Sequence, residues 1–227
     1  MNDYEKAFRE FLLPMINQNR LELIGRILDL RTRYITVVLE DIYQPHNASA
    51  VLRTCDCFGI QDVHIIENRN SYEINPDVEL GAAQWLTLYR YNQGADNTGD
   101  AIGKLKADGY RIVATTPHTN DCDIGEFRLS AGKSAFMLGT EMKGLSEKAL
   151  DLADEYVKIP MMGFTESYNI SVSAAIVLYE LNSRLRNSDI DWSLQPAEKE
   201  RIRYEWIKNS VNNVSRIERG FKKRYNA

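Results

Sequence analysis

The stretch from Lys158 to Tyr179 reads KIPMMGFTESYNISVSAAIVLY and is the most informative part of the chain. A short extended run ends at Pro160, and a polar turn then leads into an apolar helical segment. Asn169 or Ser171 can cap that helix, because a side-chain oxygen accepts from the free N–H groups of a first turn. A polar loop between a strand end and a helix start is where α/β proteins usually bind a ligand.

Apolar, β-branched runs alternate with helical patterns through the middle of the chain. This alternation predicts an α/β protein with a mostly parallel sheet and helices on both faces. Residues 3–30 predict a helix that Pro14 can interrupt, and residues 196–224 predict one or two further helices. Predicted strands cover residues 34–39, 62–66, 85–90, 110–116, 134–138 and 155–159, and predicted helices cover residues 47–58, 99–108 and 147–153.

The composition is that of a globular protein, with 227 residues, 44% apolar and 26% charged. This length fits one large domain, or one domain with extensions. The sequence has no apolar run long enough to predict a membrane span, and the charged N-terminal segment does not resemble a signal peptide. Cys55, Cys57 and Cys122 have neither a zinc-ligand spacing nor an even number. We therefore expect reduced thiols, a cytoplasmic location and no metal site.

Charge is distributed unevenly along the chain. The net charge is −4, which argues against nucleic-acid binding, but residues 199–224 contain nine Lys or Arg and three Asp or Glu. A basic tail on an acidic body is typical of a nucleic-acid contact. A solvated helical tail explains the charge equally well, and both alternatives remain open. The aromatic residues among these basic ones can stack on bases or dock on the domain, and docking is favoured for most of them.

Two further segments place polar residues after predicted strands. Asn47 and Arg53 lie six residues apart in the helix that follows the first strand. Arg53 either forms a salt bridge with Asp56 or points into a cleft where it meets phosphate or ribose. The segment from Gly139 to Gly144 reads GTEMKG, and its glycines let a ligand approach the backbone.

In order, these segments resemble the three motifs of the SpoU/TrmH family of RNA 2′-O-methyltransferases. Asn47 and Arg53 match the first motif, residues 139–144 the second, and residues 167–173 the third. The match covers roughly residues 33–187. It implies an α/β sheet with a C-terminal trefoil knot, S-adenosylmethionine as the cofactor, and a homodimer that forms through the knot. The implied layout is an N-terminal helical extension at 1–32, a methyltransferase domain at 33–187 and a basic helical extension at 188–227.

The resemblance also assigns roles to particular residues, and two departures from the family pattern alter the expected pocket. Tyr168 stands where the family usually has Leu, and residues 161–166 differ from the commoner residues before the Ser-x-Asn turn. The implied cofactor-binding residues are Thr115, Gly139, Ile159 and Tyr168; the catalytic set is Arg53, Asn47, Glu141, Ser167 and Asn169; and the RNA contacts are His46, Arg184 and Arg186.

The implied reaction is methyl transfer to a ribose 2′-hydroxyl of RNA, without metal. Arg53 either acts as a base, stabilises the developing alkoxide or binds a neighbouring phosphate. Base catalysis is demanding, because a free guanidinium keeps its proton up to a pH of about 12. In the family, the arginine and the cofactor come from different subunits.

A guanosine in a tRNA loop is the expected substrate. Helical extensions at both ends resemble the layout of TrmH-type tRNA enzymes, and a reactive ribose must leave A-form geometry to reach a pocket. The alternatives are a ribosomal RNA 2′-O-methyltransferase, a non-catalytic RNA-binding relative and a knotted enzyme that methylates a base. A nucleotide-binding α/β enzyme is disfavoured, because the sequence lacks a Gly-x-Gly-x-x-Gly loop.

Overall fold

The computed structural model describes residues 1–72, 75–117, 122–140 and 143–225. The chain divides into two compact units. One, called here the sheet unit, contains Thr32–Trp192. The other, called the helical unit, combines Met1–Arg31 with Ser193–Ala227. Most of the two predicted extensions therefore belongs to one unit, although they lie at opposite ends of the sequence.

Among the described residues, seven strands form one sheet in the sheet unit. The strands are Ile35–Glu40 (β1), Asp62–Ile66 (β2), Thr87–Tyr91 (β3), Arg111–Thr115 (β4), Cys122–Asp123 (β5), Ser134–Leu138 (β6) and Glu155–Lys158 (β7). Their spatial order is β3-β2-β1-β6-β4-β7-β5, and every neighbouring pair is parallel. All the carboxyl ends therefore lie at one edge of the sheet, where open α/β sheets bind ligands.

The helices of the described residues flank these strands and form the helical unit. They are Asp3–Leu12 (α1), Gln18–Leu28 (α2), Pro45–Cys57 (α3), Pro76–Glu79 (α4), Asn97–Ala107 (α5), Glu147–Leu152 (α6), Ile170–Arg186 (α7), Pro196–Asn209 (α8) and Val214–Tyr225 (α9).

Alternate residues of β1 enter two separate apolar clusters, because successive side chains of a strand point to opposite faces. Val37 belongs to the cluster that contains residues of α3 and α7, and Val38 to the cluster that contains residues of α5 and α6. Helices therefore cover both faces of the sheet, and the predicted α/β class with a mostly parallel sheet is confirmed. Burial on both faces explains why the central strands are continuous apolar runs.

Most predicted element boundaries differ from the structure by one to three residues. Helix α3 begins at Pro45 instead of residue 47, since proline fits the first helical position, where its missing N–H has no partner to lose. Gly59 follows α3 with a φ of +74°, the left-handed conformation that glycine adopts readily. A 3-10 turn at Leu13–Met15 separates α1 from α2, so the predicted interruption at Pro14 is confirmed.

The helical unit is held together mainly by apolar packing of α1, α2, α8 and α9. Phe8, Leu28 and Trp206 are buried in its core, and the ring of Phe221 lies 5.1 Å from that of Phe8. Ion pairs also join the two ends of the chain, but exposed pairs contribute at most about 1 kcal/mol each. These pairs are Arg9–Glu200, Arg201–Glu5 and Lys199–Asp29.

Candidate active site

A cavity of about 380 Å³ opens at the carboxyl edge of the sheet, beside the ends of β4, β6 and β7. Its volume lies within the range of small-molecule sites, roughly 300–1,000 Å³. Several strand ends thus converge on one ligand-sized space. Its lining includes Ser167, predicted as catalytic, and all four residues predicted to bind a cofactor, Thr115, Gly139, Ile159 and Tyr168.

Thr115 ends β4, which lies between β6 and β7 in the sheet. Its hydroxyl donates a 2.6 Å hydrogen bond to the carbonyl oxygen of Met137 in β6. This bond ties two neighbouring strand ends together, while the hydroxyl oxygen can still accept a hydrogen bond from a ligand. The side chain of Thr115 therefore both shapes the cavity and presents a polar group to it.

The described residues of the segment from Gly139 to Ser146, called here the cavity loop, bring its two ends close together. Thr140 and Gly144 exchange two backbone hydrogen bonds, each 2.9 Å long. A Cβ atom added at Gly139 would lie 2.1 Å from the carbonyl carbon of Gly144, so glycine is required there. Gly144 itself has a φ of +67°, which favours glycine. Glu141, predicted as catalytic, lies outside the described residues, and its role stays a prediction.

Asn47 and Asn169, two predicted catalytic residues 122 positions apart, meet directly. The side-chain amide of Asn169 donates a 3.1 Å hydrogen bond to Oδ1 of Asn47. Oδ1 of Asn169 accepts from the backbone N–H and the hydroxyl of Ser171, at 2.9 and 2.6 Å. Asn169 is therefore the residue that caps α7. Through this pair, the start of α7 is joined to the first turn of α3.

Arg53 is exposed on α3 and does not belong to the cavity lining. No side chain of the described residues forms an ion pair or hydrogen bond with it, so the alternative salt bridge with Asp56 is absent. An exposed guanidinium presents donors in the planar arrangement that matches phosphate or carboxylate. This arginine is therefore available to an anion from outside the chain.

Within the described ranges, no group of three or more His, Cys, Asp or Glu side chains is arranged to hold a metal ion. No helix of the described residues is both long enough and apolar enough to cross a membrane.

The part of the chain that carries the cavity and Arg53 matches a known protein family. The model described as the SpoU rRNA Methylase family matches residues 34–179. The chain belongs to this family. The match includes all three motifs, so the resemblance inferred from them is confirmed. Because it ends within α7, the SpoU match lies entirely inside the sheet unit.

Proteins named tRNA (guanosine(18)-2′-O)-methyltransferase are similar to this SpoU family member over most of its length. The one from Borreliella burgdorferi is 46% identical over 207 residues, which cover 91% of this chain and 93% of that protein. The Thermus thermophilus protein is 32% identical over 191 residues, covering 83% and 96%. The Escherichia coli protein is 30% identical over 194 residues, covering 84% and 82%.

Solved SpoU structures share the fold. The Aquifex aeolicus structure, titled a TrmH/SpoU tRNA modifying enzyme, gives a TM-score of 0.76 at 25% identity, covering 86% of this chain and 98% of that one. AviRb from Streptomyces viridochromogenes, a SpoU methyltransferase solved with the cofactor AdoMet, gives a TM-score of 0.60 at 23% identity. It covers 71% of this chain and 64% of that chain, and its likeness supports the fold alone.

The three RNA contacts implied by the SpoU motifs have different environments. His46 is exposed at the start of α3. Arg184 donates hydrogen bonds to two backbone carbonyl oxygens of segment 124–127. The guanidinium of Arg186 lies 3.9 Å from the ring centroid of Trp192, and burial lowers its pKa. Both arginines are thus engaged within the sheet unit, and RNA contact by these residues stays a prediction.

Motif matching missed several cavity residues of this SpoU fold. Lys143 lies within the second motif and lines the cavity. Ser173 and Val177 line it from α7 and are four residues apart, the spacing that places side chains on one helical face. The helical spacing of these two residues after Asn169 is the sequence signal that could have identified both.

Proposed function

We propose that this protein transfers a methyl group from S-adenosylmethionine to the ribose 2′-hydroxyl of a tRNA guanosine, at position 18 as in the names of its relatives. The observation that carries the proposal is the cavity at the carboxyl edge, which is lined by residues of the second and third SpoU motifs. We assign this activity to residues 33–187. A tRNA substrate also favours a cytoplasmic location.

The cavity residues fit S-adenosylmethionine. Gly139 and Gly144 let a ligand reach the backbone, which suits a cofactor with many hydrogen-bonding groups. Leu138, Ile159 and Val177 supply apolar walls, and Thr115, Gly139, Ile159 and Tyr168 would hold the cofactor. When bound, S-adenosylmethionine supplies an electrophilic methyl group on its sulfonium.

The residues outside the cavity suit the ribose side of the reaction. Arg53 would hold a phosphate next to the target ribose, or stabilise negative charge that develops on the 2′-oxygen. Asn47 and Asn169 keep α3, which carries this arginine, fixed against α7, which lines the cavity. Ser167 and Glu141 complete the proposed set, with Ser167 in the cavity wall.

We propose that the active form is a homodimer. The loop before α7 exposes Met162 and Phe164 almost completely, and α7 exposes Val172 and Tyr179. Large exposed apolar side chains concentrated in one stretch of the chain are typical of an interaction surface. A second copy of this chain is the proposed occupant, because Arg53 is absent from the cavity lining of its own chain. In the dimer, Arg53 of each subunit would serve the cavity of the other.

A complementation experiment tests this arrangement. Arg53→Ala and Gly139→Ala chains are co-expressed with different tags, and the mixed dimer is purified. It is assayed at an S-adenosylmethionine concentration well below the dissociation constant of the unaltered protein, where either altered homodimer has little activity. If the sites are shared, the mixed dimer contains one complete site and recovers about half the turnover of the unaltered dimer, since one of two independent sites is intact. If each chain uses its own Arg53, no site is complete and the mixture stays inactive.

Light scattering tests the surface separately. The double variant Met162→Ser and Phe164→Ser should shift the protein towards the monomer, because it removes the apolar side chains that the second copy would bury. Leu80→Ser is the control, since Leu80 is also exposed and apolar but lies outside this surface. A monomer in the unaltered protein would contradict the dimer.

We also propose a trefoil knot in the C-terminal part of the sheet unit. The strand order is compatible with it, since β6 lies between β1 and β4, and β7 lies between β4 and β5. In both cases a later strand occupies a position that two earlier strands flank, as a threaded chain path needs. A crystal structure traced continuously through the cavity loop would decide between a knotted and an unknotted path.

Mass spectrometry of methylated RNA tests the reaction itself. Purified protein is incubated with S-adenosylmethionine and either unmodified tRNA or ribosomal RNA, and the nuclease digests are analysed for the methylated nucleoside and its position. The expected product is 2′-O-methylguanosine at position 18 of tRNA. A base-methylated nucleoside would overturn the ribose assignment, and modification of ribosomal RNA alone would overturn the tRNA assignment.

A further inference from the structure

Glu40, the last residue of β1, is a buried carboxylate that the proposed reaction does not use. It is 2% exposed, and within the described part of the chain no basic side chain forms an ion pair with it. A buried carboxylate is costly unless hydrogen bonds compensate for the water it loses. Its hydrogen-bonding partners therefore indicate what it does.

Three donors surround the Glu40 carboxylate, and two of them come from Ser146. The backbone N–H of Ser146 donates to Oε2 at 2.8 Å, and the Ser146 hydroxyl donates to Oε1 at 2.8 Å. The hydroxyl of Thr98, in the first turn of α5, donates to Oε1 at 2.6 Å. Glu40 thus joins the end of a central strand to two segments on other elements.

Ser146 is the residue at which the cavity loop ends and α6 begins. Its hydroxyl also accepts from the backbone N–H of Ala149, so it caps α6 while it donates to Glu40. The residues just before it, Gly144 and Leu145, line the cavity. The start of the loop follows β6 directly, whereas its end is attached to the sheet through Glu40. Glu40 itself is absent from the cavity lining.

We propose that Glu40 is a positioning residue that anchors the end of the cavity loop in the shape that binds S-adenosylmethionine. This inference rests on the proposed function, because it concerns the same cavity. The carboxylate acts through the backbone N–H and the hydroxyl of Ser146, and no other side chain of the described residues forms a hydrogen bond between the loop end and β1. Loosening this anchor would raise the dissociation constant for the cofactor and leave the ribose side of the reaction intact.

The test is calorimetric titration of the full-length protein with S-adenosylhomocysteine, together with steady-state kinetics. In Glu40→Gln, an NH₂ group replaces one of the two acceptor oxygens. This NH₂ group then faces the donor that the oxygen bound, so at least one hydrogen bond is lost. The dissociation constant and the KM for S-adenosylmethionine should rise about tenfold, as expected for the loss of one hydrogen bond to a charged group. The kcat and the KM for tRNA should stay within about twofold of the values of the unaltered protein, because the ribose side of the reaction keeps its interactions.

Glu67→Gln is the matched control. Glu67 follows β2 at the same edge, its side chain is 6% exposed, and it accepts from Arg90 and from the backbone of Tyr72 instead of the cavity loop. Both variants should lower the melting temperature, but Glu67→Gln should leave cofactor affinity unchanged. If both weaken binding equally, or neither does, Glu40 has only a structural role and the inference is overturned.

Substitutions of Ser146 keep the inference testable if Glu40→Gln does not fold. Ser146→Ala removes one bond to Glu40 and should weaken S-adenosylhomocysteine binding, and Ser146→Thr, which retains the hydroxyl, should restore it. Equal affinities of these two variants would overturn the inference.

The same titrations distinguish failure of this inference from failure of the proposed function. If the unaltered protein binds no S-adenosylhomocysteine, the proposed function is wrong and this inference is wrong with it. If the unaltered protein binds and the folded variants bind equally well, only this inference is wrong.

Discussion

The cavity and the surface around Arg53 belong to the same unit but differ in how complete they are. The four predicted cofactor residues come from three strand ends and one loop, and they line a single space. Arg53 is exposed on α3, without a partner among the described residues and outside that lining. The sheet unit therefore contains a formed pocket of small-molecule size and, separately, an exposed guanidinium that no described side chain pairs with.

This difference follows from the physical demands on each region. A small cofactor needs a preformed concave site, and parallel strands supply one because their carboxyl ends meet. The role proposed for Arg53 needs a guanidinium that stays accessible to a large polyanion, so burial or pairing within its own chain would work against that role. Variants should therefore separate the two regions, affecting cofactor affinity in one and turnover in the other.

Substitution of Arg53 should have the largest effect. Arg53→Ala should lower the turnover of tRNA methylation by about 10²–10³-fold, the typical cost of losing a group that stabilises transition-state charge. Affinity for S-adenosylhomocysteine should stay within twofold, because Arg53 does not line the cavity. Single-turnover kinetics and calorimetry measure the two quantities.

Arg128→Ala is the control for that variant. Arg128 is also exposed, and its carbonyl group bonds to Arg111 at the start of β4, which places it at the opposite, amino edge of the sheet. Arg128→Ala should keep both the turnover and the S-adenosylhomocysteine affinity of the unaltered protein. If Arg53→Ala lowers cofactor affinity as much as it lowers turnover, the two regions do not have the separate functions proposed here.

Gly139→Ala should have the reverse profile. Its Cβ would press on the backbone of Gly144 and Leu145, at 2.1–2.2 Å, so the cavity loop must shift. We expect S-adenosylhomocysteine affinity to fall roughly 10–100-fold, which corresponds to an overpacking cost of about 1–3 kcal/mol.

Gly103→Ala on α5 controls for the loss of a glycine in the same unit, since open space surrounds a Cβ at that position. It should retain full affinity. Calorimetry gives the affinities, and circular dichroism shows whether each variant is folded. Unchanged affinity in a folded Gly139→Ala protein would contradict the assignment of the cavity to the cofactor.

Asn169→Ala should affect both regions moderately, because it removes the contact with Asn47 and the cap of α7. The cap alone costs about 1 kcal/mol of stability. Turnover should fall about tenfold, as for one lost hydrogen bond near the site. Asn17→Ala, which removes the cap of α2 in the helical unit, should lower stability similarly without changing turnover. Equal turnover in the two variants would mean that Asn169 only caps its helix.

The basic helix α9 should have the smallest effect. Deletion from residue 196 onwards is unsuitable as a test, because α8 contributes Ile202 and Trp206 to a buried core. Neutralising Lys222, Lys223 and Arg224 to Gln keeps this core. Each lost phosphate contact should reduce the slope of log affinity for tRNA against log salt by about 0.7–0.9.

Lys104→Gln with Lys106→Gln on α5 controls for the general loss of positive charge. Filter binding at several salt concentrations measures the slopes for both sets of variants. An unchanged slope in the α9 variant would mean that the basic side chains of this helix are solvated and make no contact with tRNA.

The motifs predicted more of the cavity than of the ribose side. The family resemblance implies Thr115, Gly139, Ile159 and Tyr168, and strand ends bring such residues together in any parallel sheet. The sequence leaves Arg53 between a salt bridge and a cleft, because periodicity shows that a residue is on a helix but not what the helix faces. Its exposure depends on how α3 packs against α7.

Local sequence by itself determined the strands, the helix caps and the glycines, because each depends on backbone propensity within a few residues. Ser146 as the cap of α6 and the interruption at Pro14 are examples. Tertiary structure alone decided the contacts between distant segments. Glu40 meets Ser146 across 106 positions, and Asn47 meets Asn169 across 122. The first contact follows from the pairing of β6 with β1, and the second from the packing of α7 against α3. No local pattern encodes either arrangement.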